Sequence, residues 1–212
     1  IVARSLAQKM SESWGQSVVV DNRGGAGGII GTDMVAKATP DGHTVLLATA
    51  ANAANVVFEP KLPYDLMKDF APVVHLINVP FVLVVNPKVP AQNAKELIAL
   101  AKAKTGALNY GTVGIGTSNH LMMELFNSMG GVKIVHVPYK GVGPALVDLM
   151  GGRVNMMLFS IGAAAPYLKD NRVRPIAVTT STRAAALPDV PAIAETLPGY
   201  DMTPYYGILV PA

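Results

Sequence analysis

The chain has 212 residues, enough to bury a sizeable core as one large domain or as two smaller lobes. Half of the residues are hydrophobic and 15% are charged, which is typical of a globular protein and excludes a disordered one. The net charge is +3 and the sequence has no basic stripe, so a nucleic-acid partner is not expected. Because the chain has no cysteine, disulfides, thiol catalysis and cysteine metal sites are excluded.

Strand-like and helix-like segments alternate along nearly the whole sequence. Apolar or alternating segments typical of strands lie at 17–20, 44–48, 72–79, 80–86, 108–112, 134–137, 154–159, 174–180 and 204–212. Segments with helical periodicity lie at 1–13, 29–37, 96–104, 121–129, 145–150 and 163–170. This alternation predicts an α/β fold with mostly parallel sheets.

Ligands of parallel α/β sheets bind at the carboxyl ends of the strands. The loops expected there are rich in hydroxyl, amide and glycine residues, and they lie at 49–52, 112–118, 138–143, 160–162 and 180–183. Where the helix after 108–112 begins, Thr117 or Ser118 is expected to act as the N-cap and to leave backbone N–H groups for an anion. Such loops are suited to binding a small polar or anionic molecule.

Two motifs suggest a cofactor or a metal ion, and both are incomplete. The stretch RGGAGGIIG at 23–31 is similar to a dinucleotide-binding turn, but its third glycine position is Ile30, and no GK[ST] phosphate loop occurs. His120 and Glu124 lie one helical turn apart and lack a third metal ligand in the sequence pattern. We therefore expect no cofactor and no metal ion.

The remaining candidate catalytic residues also lack the patterns of an enzyme. Ser118 and Ser160 are not part of the GxSxG motif of hydrolases. His75 and His136 lie in strand-like segments and are interpreted as core histidines with satisfied hydrogen bonds. Because no acid, base and nucleophile converge in the pattern, the protein is not expected to be an enzyme.

Six segments agree in order and spacing with one known family. They are VVVDNRGGAGGIIGTDMVAKATPDGHTVLLAT, LPYDLMKDFAPV, VNPKVPAQNAKELIALAKAK, LNYGTVGIGTSNHLMMELF, VHVPYKGVGPALVDLMGGRVNMMLF and ALPDVPAIAETLPGYD. From end to end the chain resembles the substrate-binding proteins of tripartite tricarboxylate transporters, the Bug family. This resemblance implies a two-lobed periplasmic-binding-protein-like fold, with a ligand cleft between the lobes and two crossing hinge strands.

The resemblance also implies which residues contact the ligand. They are Thr49, Ala50 and Asn52 in the first lobe, and Gly116, Thr117, Ser118, His120, Tyr139 and Ser160 in the second. Many family members carry an acidic or amide residue where this chain has Ser160, and members with Asp there can bind ligands that bear an amine. Ser160 therefore favours a ligand without an ammonium group.

The lobes implied by the resemblance are 1–82 with a return strand at 205–212, and 83–204. The chain is expected to cross between them near 80–87 and near 205–211, where long apolar segments are flanked by prolines. It begins on helix-like sequence and ends on a strand-like segment, so it looks truncated at both ends. The family's first strand and its C-terminal helices are expected to lie outside it.

The implied function is that of an extracytoplasmic solute-binding protein, expected to be a periplasmic monomer. It would capture a small carboxylate, either a di- or tricarboxylate or an aromatic acid, and deliver it to the membrane components of a tripartite tricarboxylate transporter. The alternative is the effector-binding domain of a transcription regulator or a sensory ligand-binding protein, because these share the architecture. The sequence has no helix-turn-helix pattern or basic segment, which favours the transporter protein.

Overall fold

The computed structural model describes residues 2–212. Its helices are α1 (Val2–Trp14), α2 (Ile29–Ala36), α3 (Ala50–Phe58), α4 (Ala94–Ala103), α5 (Ser118–Gly130), α6 (Val142–Gly151) and α7 (Ile161–Lys169). Its strands are β1 (Leu46–Thr49), β2 (Phe70–Asn78), β3 (Phe81–Val85), β4 (Asn109–Thr112), β5 (Val135–Pro138), β6 (Met156–Ser160), β7 (Arg174–Val178) and β8 (Tyr205–Pro211).

The chain divides into two compact units. The first extends to Leu76 and includes Gly207–Ala212, and the second is Ile77–Tyr206. The chain therefore passes from one unit to the other within β2 and again within β8. The first of these positions differs from the boundary expected at 82 and 83, which would divide β3. That strand pairs on both sides with strands of the second unit, so it cannot be shared with the first.

The first unit is built around a small sheet in the order β1-β8-β2. A core of Val35, Tyr64 and Phe70 packs in this unit, with the rings of Tyr64 and Phe70 meeting edge to face at 6.0 Å. The strand expected at 17–20 does not form, and the side chain of Val19 is 83% exposed. An apolar segment becomes a strand only where a neighbouring strand pairs with it, and this one has no such neighbour among the described residues.

The second unit contains a five-stranded sheet in the order β5-β4-β6-β3-β7. Residues 82–85 of its strand β3 are fully buried, because helices and loops cover both faces of the sheet. Leu83 and Val85 contact one hydrophobic cluster, whereas Val82 and Val84 contact the other. This alternation explains why the segment is apolar at every position.

The sheet of the second unit is mixed, and the expectation of mostly parallel sheets holds for only part of it. Strand β4 is parallel to β5 and to β6, but β3 is antiparallel to both of its neighbours, β6 and β7. The start of β3 lies beside the end of β6, since Phe81 pairs with Ser160 and Pro80 accepts a hydrogen bond from the Ile161 N–H at 3.0 Å. The chain thus enters this sheet at the end where the parallel strands have their carboxyl termini. Strand β3 must therefore run in the opposite direction.

Candidate ligand-binding site

Three helices of the second unit begin at one edge of its sheet. The strands β5, β4 and β6 are adjacent and parallel, so their carboxyl ends share this edge, and α6, α5 and α7 follow them directly in the chain. The N-cap residues of these helices are Gly141, Thr117 and Ser160, and none of the three makes a side-chain capping hydrogen bond. Uncapped N–H groups and the positive ends of the helix dipoles therefore face the same edge, an arrangement that favours an anion.

The loop 113–117 before α5 is closed by one hydrogen bond to its own backbone and one to a side chain of α5. The Thr117 hydroxyl donates to the carbonyl of Gly114 at 2.6 Å, and the Gly116 N–H donates to Nδ1 of His120 at 3.2 Å. Gly114 and Gly116 have φ values of 132° and 77°, which favour glycine. The loop is therefore tightly curved and brings Gly116, Thr117 and His120 together.

The expectation that a hydroxyl of Thr117 or Ser118 caps α5 is wrong. Thr117 occupies the N-cap position, but its hydroxyl lies 2.7 Å from Oδ1 of Asn119 and donates to Gly114 within the loop. Ser118 is the first residue of the helix and is half-buried. The Thr117 hydroxyl therefore does not accept an N–H group from the first turn of α5, because the curvature of the loop directs it to the Gly114 carbonyl.

Behind the loop lies a group of aromatic and polar side chains. The rings of His120 and His136 have centroids 4.2 Å apart, and His136 stacks on Tyr110 at 5.1 Å. Nε2 of His136 lies 2.6 Å from the hydroxyl of Thr112, and the Tyr110 hydroxyl donates to Glu124. These contacts join β4, β5 and α5 immediately beneath the loop.

Both histidines of this group favour the neutral form. Burial lowers the pKa of His120, although the carboxylate of Glu124 acts in the opposite direction. Burial also lowers the pKa of His136, and the neighbouring His120 lowers it further. Burial and the hydrogen bond to Glu124 raise the pKa of Tyr110. The group therefore supplies hydrogen bonds and packing at neutral pH, and it contributes no positive charge to this edge of the sheet.

Tyr139 and Ser160 reach the same edge in different ways. The hydroxyl of Tyr139 donates to Asp148 on α6 at 2.8 Å, and Asp148 also pairs with Arg153 at 2.7 Å. Burial and the hydrogen bond to Asp148 raise the pKa of Tyr139 to about 12. The proton of this hydroxyl is therefore retained and donated within the second unit. Ser160 ends β6 and is half-buried at the start of α7, with a hydroxyl that does not cap the helix.

The predicted first-lobe residues lie together at the start of α3 in the first unit. Thr49 is the N-cap, its hydroxyl accepts from the Ala51 N–H at 3.2 Å, and its own N–H donates to Asn52 Oδ1 at 2.7 Å. The Asn52 amide donates in turn to Thr32 at 2.8 Å. Ala50 begins the helix and is half-buried. The side chain of Asn52 is thus buried and occupied at both ends.

Sequence reasoning missed the contribution of Thr112, Tyr110 and His136. His136 is half-buried and bonded to Thr112, so it contacts residues that support the loop as well as the core. Tyr110 and Thr112 are two positions apart on β4, and His136 is the register partner of Tyr110 on β5. The alternation of side chains along NYGT and IVHV could have placed all three on one face of the sheet.

Residues 2–212 contain neither a metal-binding cluster nor a membrane-spanning helix. No group of three histidine, aspartate or glutamate side chains is arranged to hold a metal ion. None of the described helices has the length and hydropathy required to cross a membrane.

Comparison with known proteins relates this geometry to one family. A family model described as "Tripartite tricarboxylate transporter family receptor" matches residues 2–212. Protein BugT of Bordetella pertussis is 38% identical over 214 residues, an alignment that covers all of this chain and 66% of BugT. The chain therefore spans slightly less than two thirds of the length of this curated relative.

Solved structures extend the comparison to the fold. An R. palustris protein with adipate is 39% identical, with a TM-score of 0.92 over 99% of this chain and 71% of that chain. MatC from Rhodopseudomonas palustris with bound malate is 33% identical, with a TM-score of 0.89 over 99% of this chain and 72% of that chain. Likeness of this degree confirms the predicted periplasmic-binding-protein-like α/β fold.

Proposed function

Because the chain belongs to the tripartite tricarboxylate transporter receptor family, as its sequence predicted, we propose that it binds a small carboxylate for uptake. In this proposal the protein acts outside the cytoplasmic membrane, in the periplasm, as a monomer without enzymatic activity. It passes its ligand to the membrane components of a tripartite tricarboxylate transporter. The family supports the class of function, and the site described above supports the chemistry of the ligand.

The observation that carries the proposal is the edge where α5, α6 and α7 begin. Three helix N-termini without side-chain caps present their positive dipole ends to one small region, together with first-turn N–H groups other than that of Ile161, which donates to Pro80. Each peptide dipole is fixed by the fold, so an anion gains this interaction without the cost of reorganising flexible cations. A carboxylate at this edge would accept charge-assisted hydrogen bonds without an arginine or a lysine.

The ligand class that fits best is an aliphatic dicarboxylate without an ammonium group. Two relatives of this family have been solved with adipate and with malate, which are both aliphatic dicarboxylates. At the end of β6, Ser160 offers a neutral hydroxyl where an ammonium-bearing ligand would need a carboxylate. The aromatic acids that the sequence also allowed have less support, since neither of these relatives holds one.

Isothermal titration calorimetry on the full-length protein tests the proposal. We expect saturable binding of malate or adipate, and weaker binding of aspartate, which differs from malate by an ammonium group in place of a hydroxyl. The dimethyl ester of malate is the matched control, because it keeps the carbon chain but loses both negative charges. Binding of the ester as tight as that of the diacid would show that charge is not recognised and would contradict the proposal.

A further inference from the structure

His136 lies on the edge strand β5 and is outside the set of predicted ligand contacts. It is half-buried, and its ring lies between those of Tyr110 on β4 and His120 on α5, with centroid distances of 5.1 Å and 4.2 Å. It therefore contacts two of the three elements that frame the loop 113–117. A ring in this place can hold the residues beneath the loop in a fixed position without itself contacting a ligand.

The first connection from His136 to the loop runs through Thr112. Nε2 of His136 lies 2.6 Å from the Thr112 hydroxyl, which makes a hydrogen bond in either tautomer of the ring. The same hydroxyl oxygen accepts the N–H of Gly114 at 3.2 Å. Thr112 is fully buried, so no water competes for this hydroxyl. Its oxygen also lies 3.2 Å from the Gly114 carbonyl oxygen, so His136 and the loop backbone together set its orientation.

The second connection runs through His120. Nδ1 of His120 accepts the N–H of Gly116 at 3.2 Å, which requires that this nitrogen carry no proton. The ring of His120 packs against that of His136, so its orientation toward Gly116 depends on the neighbouring imidazole. Gly114 and Gly116, the two glycines with positive φ in the loop, are therefore both held by side chains that contact His136.

Burial preserves this arrangement at neutral pH, although the nearest carboxylate acts against it. Glu124 on α5 accepts the hydroxyl of Tyr110 and is the carboxylate that acts on both histidines. Lys133 precedes β5 and lines, together with Glu124 and His136, a surface cavity of about 470 Å³. Burial keeps both imidazoles neutral, so Nδ1 of His120 remains an acceptor.

We propose that His136 is a positioning residue of the carboxylate site, holding Thr112 and His120 so that they fix the amides of Gly114 and Gly116. This inference rests on the proposed function, since it assigns to His136 the support of the loop that precedes α5. Residues that orient the groups contacting a ligand are commonly as important for affinity as those groups themselves. His136 supports the backbone of this loop, and it need not touch the ligand.

Two substitutions at this position separate its contacts. H136F keeps an aromatic ring for stacking but removes the hydrogen bond to Thr112, whereas H136Q can place an amide near Nε2 and keep that bond. We expect H136F to weaken malate or adipate binding by calorimetry about tenfold, the size of one lost hydrogen bond. H136Q should restore the affinity to within about threefold of the wild type.

Amide hydrogen exchange, followed by NMR in the ligand-free full-length protein, gives a readout that does not need a ligand. H136F keeps the ring that packs against His120, so it should accelerate exchange at Gly114 more than at Gly116 or at Tyr110 in β4. H136Q keeps the hydrogen bond to Thr112 but loses the ring, so it should accelerate exchange at Gly116 more than at Gly114. A merely structural role would accelerate all of these amides alike. Should H136F fail to fold, H136M removes the same hydrogen bond to Thr112 and leaves the Thr112 hydroxyl in place, with H136Q again as its control.

The outcomes distinguish this inference from the proposed function. Unchanged exchange at Gly114 in H136F, or accelerated exchange there without loss of affinity, would overturn the positioning role. If the wild-type protein binds neither malate nor adipate, the proposed function fails. In that case the exchange rates alone decide whether His136 holds the loop.

Discussion

Helix α3 of the first unit and helices α5, α6 and α7 of the second unit begin in opposite ways. In the first unit, α3 begins with a side-chain cap, in which the Thr49 hydroxyl accepts the Ala51 N–H, Asn52 accepts the Thr49 N–H, and Asn52 is anchored to Thr32. In the second unit, α5, α6 and α7 begin without side-chain caps at one edge of the sheet. Capping is favourable for stability, and the proposed function gives the uncapped N–H groups of these three neighbouring helices a carboxylate to bind.

The comparison also separates two kinds of polar residue that look alike in the sequence. Asn52 and Ser160 both follow a strand end and were both predicted to contact the ligand. The side chain of Asn52 is buried and fully bonded within its own unit, whereas the Ser160 hydroxyl at the start of α7 makes no cap. The hydrogen bonds of Asn52 give its side chain a structural role in the first unit. Its direct contact with a ligand stays a prediction.

The largest expected effect is a loss of malate affinity when a negative charge is placed at the uncapped N-terminus of α7. In S160D the new carboxylate lies where the ligand's carboxylate is proposed to bind, so malate affinity should fall by about 100-fold, or about 3 kcal/mol, as like charges meet. The free energy of unfolding should not fall, because Asp is as good an N-cap as Ser. Calorimetry and urea unfolding measure the two quantities.

S160N is the matched control for that substitution, since it offers a cap of the same shape without the charge. It should bind malate more tightly than S160D, and S160D should also shift preference from malate toward aspartate. Equal malate affinity in S160D and S160N would mean that the ligand does not approach the start of α7.

A smaller effect, on stability, is expected from removing the side chain of Asn52 at the N-terminus of α3. N52A removes an acceptor from the Thr49 N–H and a donor from the buried Thr32 hydroxyl, so the free energy of unfolding should fall by about 2 to 3 kcal/mol. N93A is the control, because Asn93 caps α4 in an exposed position and its loss should cost about 1 kcal/mol. Urea unfolding compares the two variants. If N52A lost carboxylate affinity but kept its stability, the side chain would serve the ligand and not the fold.

The smallest effect is a dependence of stability on pH. In the folded protein the pKa values of His120 and His136 lie below the ordinary value of 6.5. As the pH falls below 6.5, the unfolded chain takes up protons that the folded chain does not, so the free energy of unfolding falls until the pH reaches the lowered pKa values. Urea unfolding at about pH 7.5 and about pH 5.5 measures this loss.

H136Q supplies the control, because it removes one of the two titrating groups and should reduce the loss of stability between these pH values. An equal loss in H136Q and the wild type would mean that the buried histidine on β5 does not cause the dependence. The carboxylates with lowered pKa values, such as that of Glu195 at about 2, act only at more acidic pH.

The sequence by itself determined most of the elements and the identity of the loops at the strand ends. Helices α4 and α5 form where the helical periodicity at 96–104 and 121–129 predicted them, because this periodicity depends on residues that are near one another in the chain. The family and the fold followed from segments in a fixed order. Local chemistry and order along the chain are properties that a sequence carries directly.

Only the tertiary structure decided the direction of β3, the use of each hydroxyl and the histidine pair. Whether Thr49 or Thr117 caps a helix depends on which carbonyl or amide comes within reach, and for Thr117 the curved loop brings Gly114 to 2.6 Å. His120 and His136 are sixteen residues apart in the chain, but their rings are in contact. They meet because the register of β4 and β5 places His136 beside Tyr110, on the face of the sheet that packs against α5. Such contacts are set by the packing of distant elements, and the order of residues in the chain does not specify them.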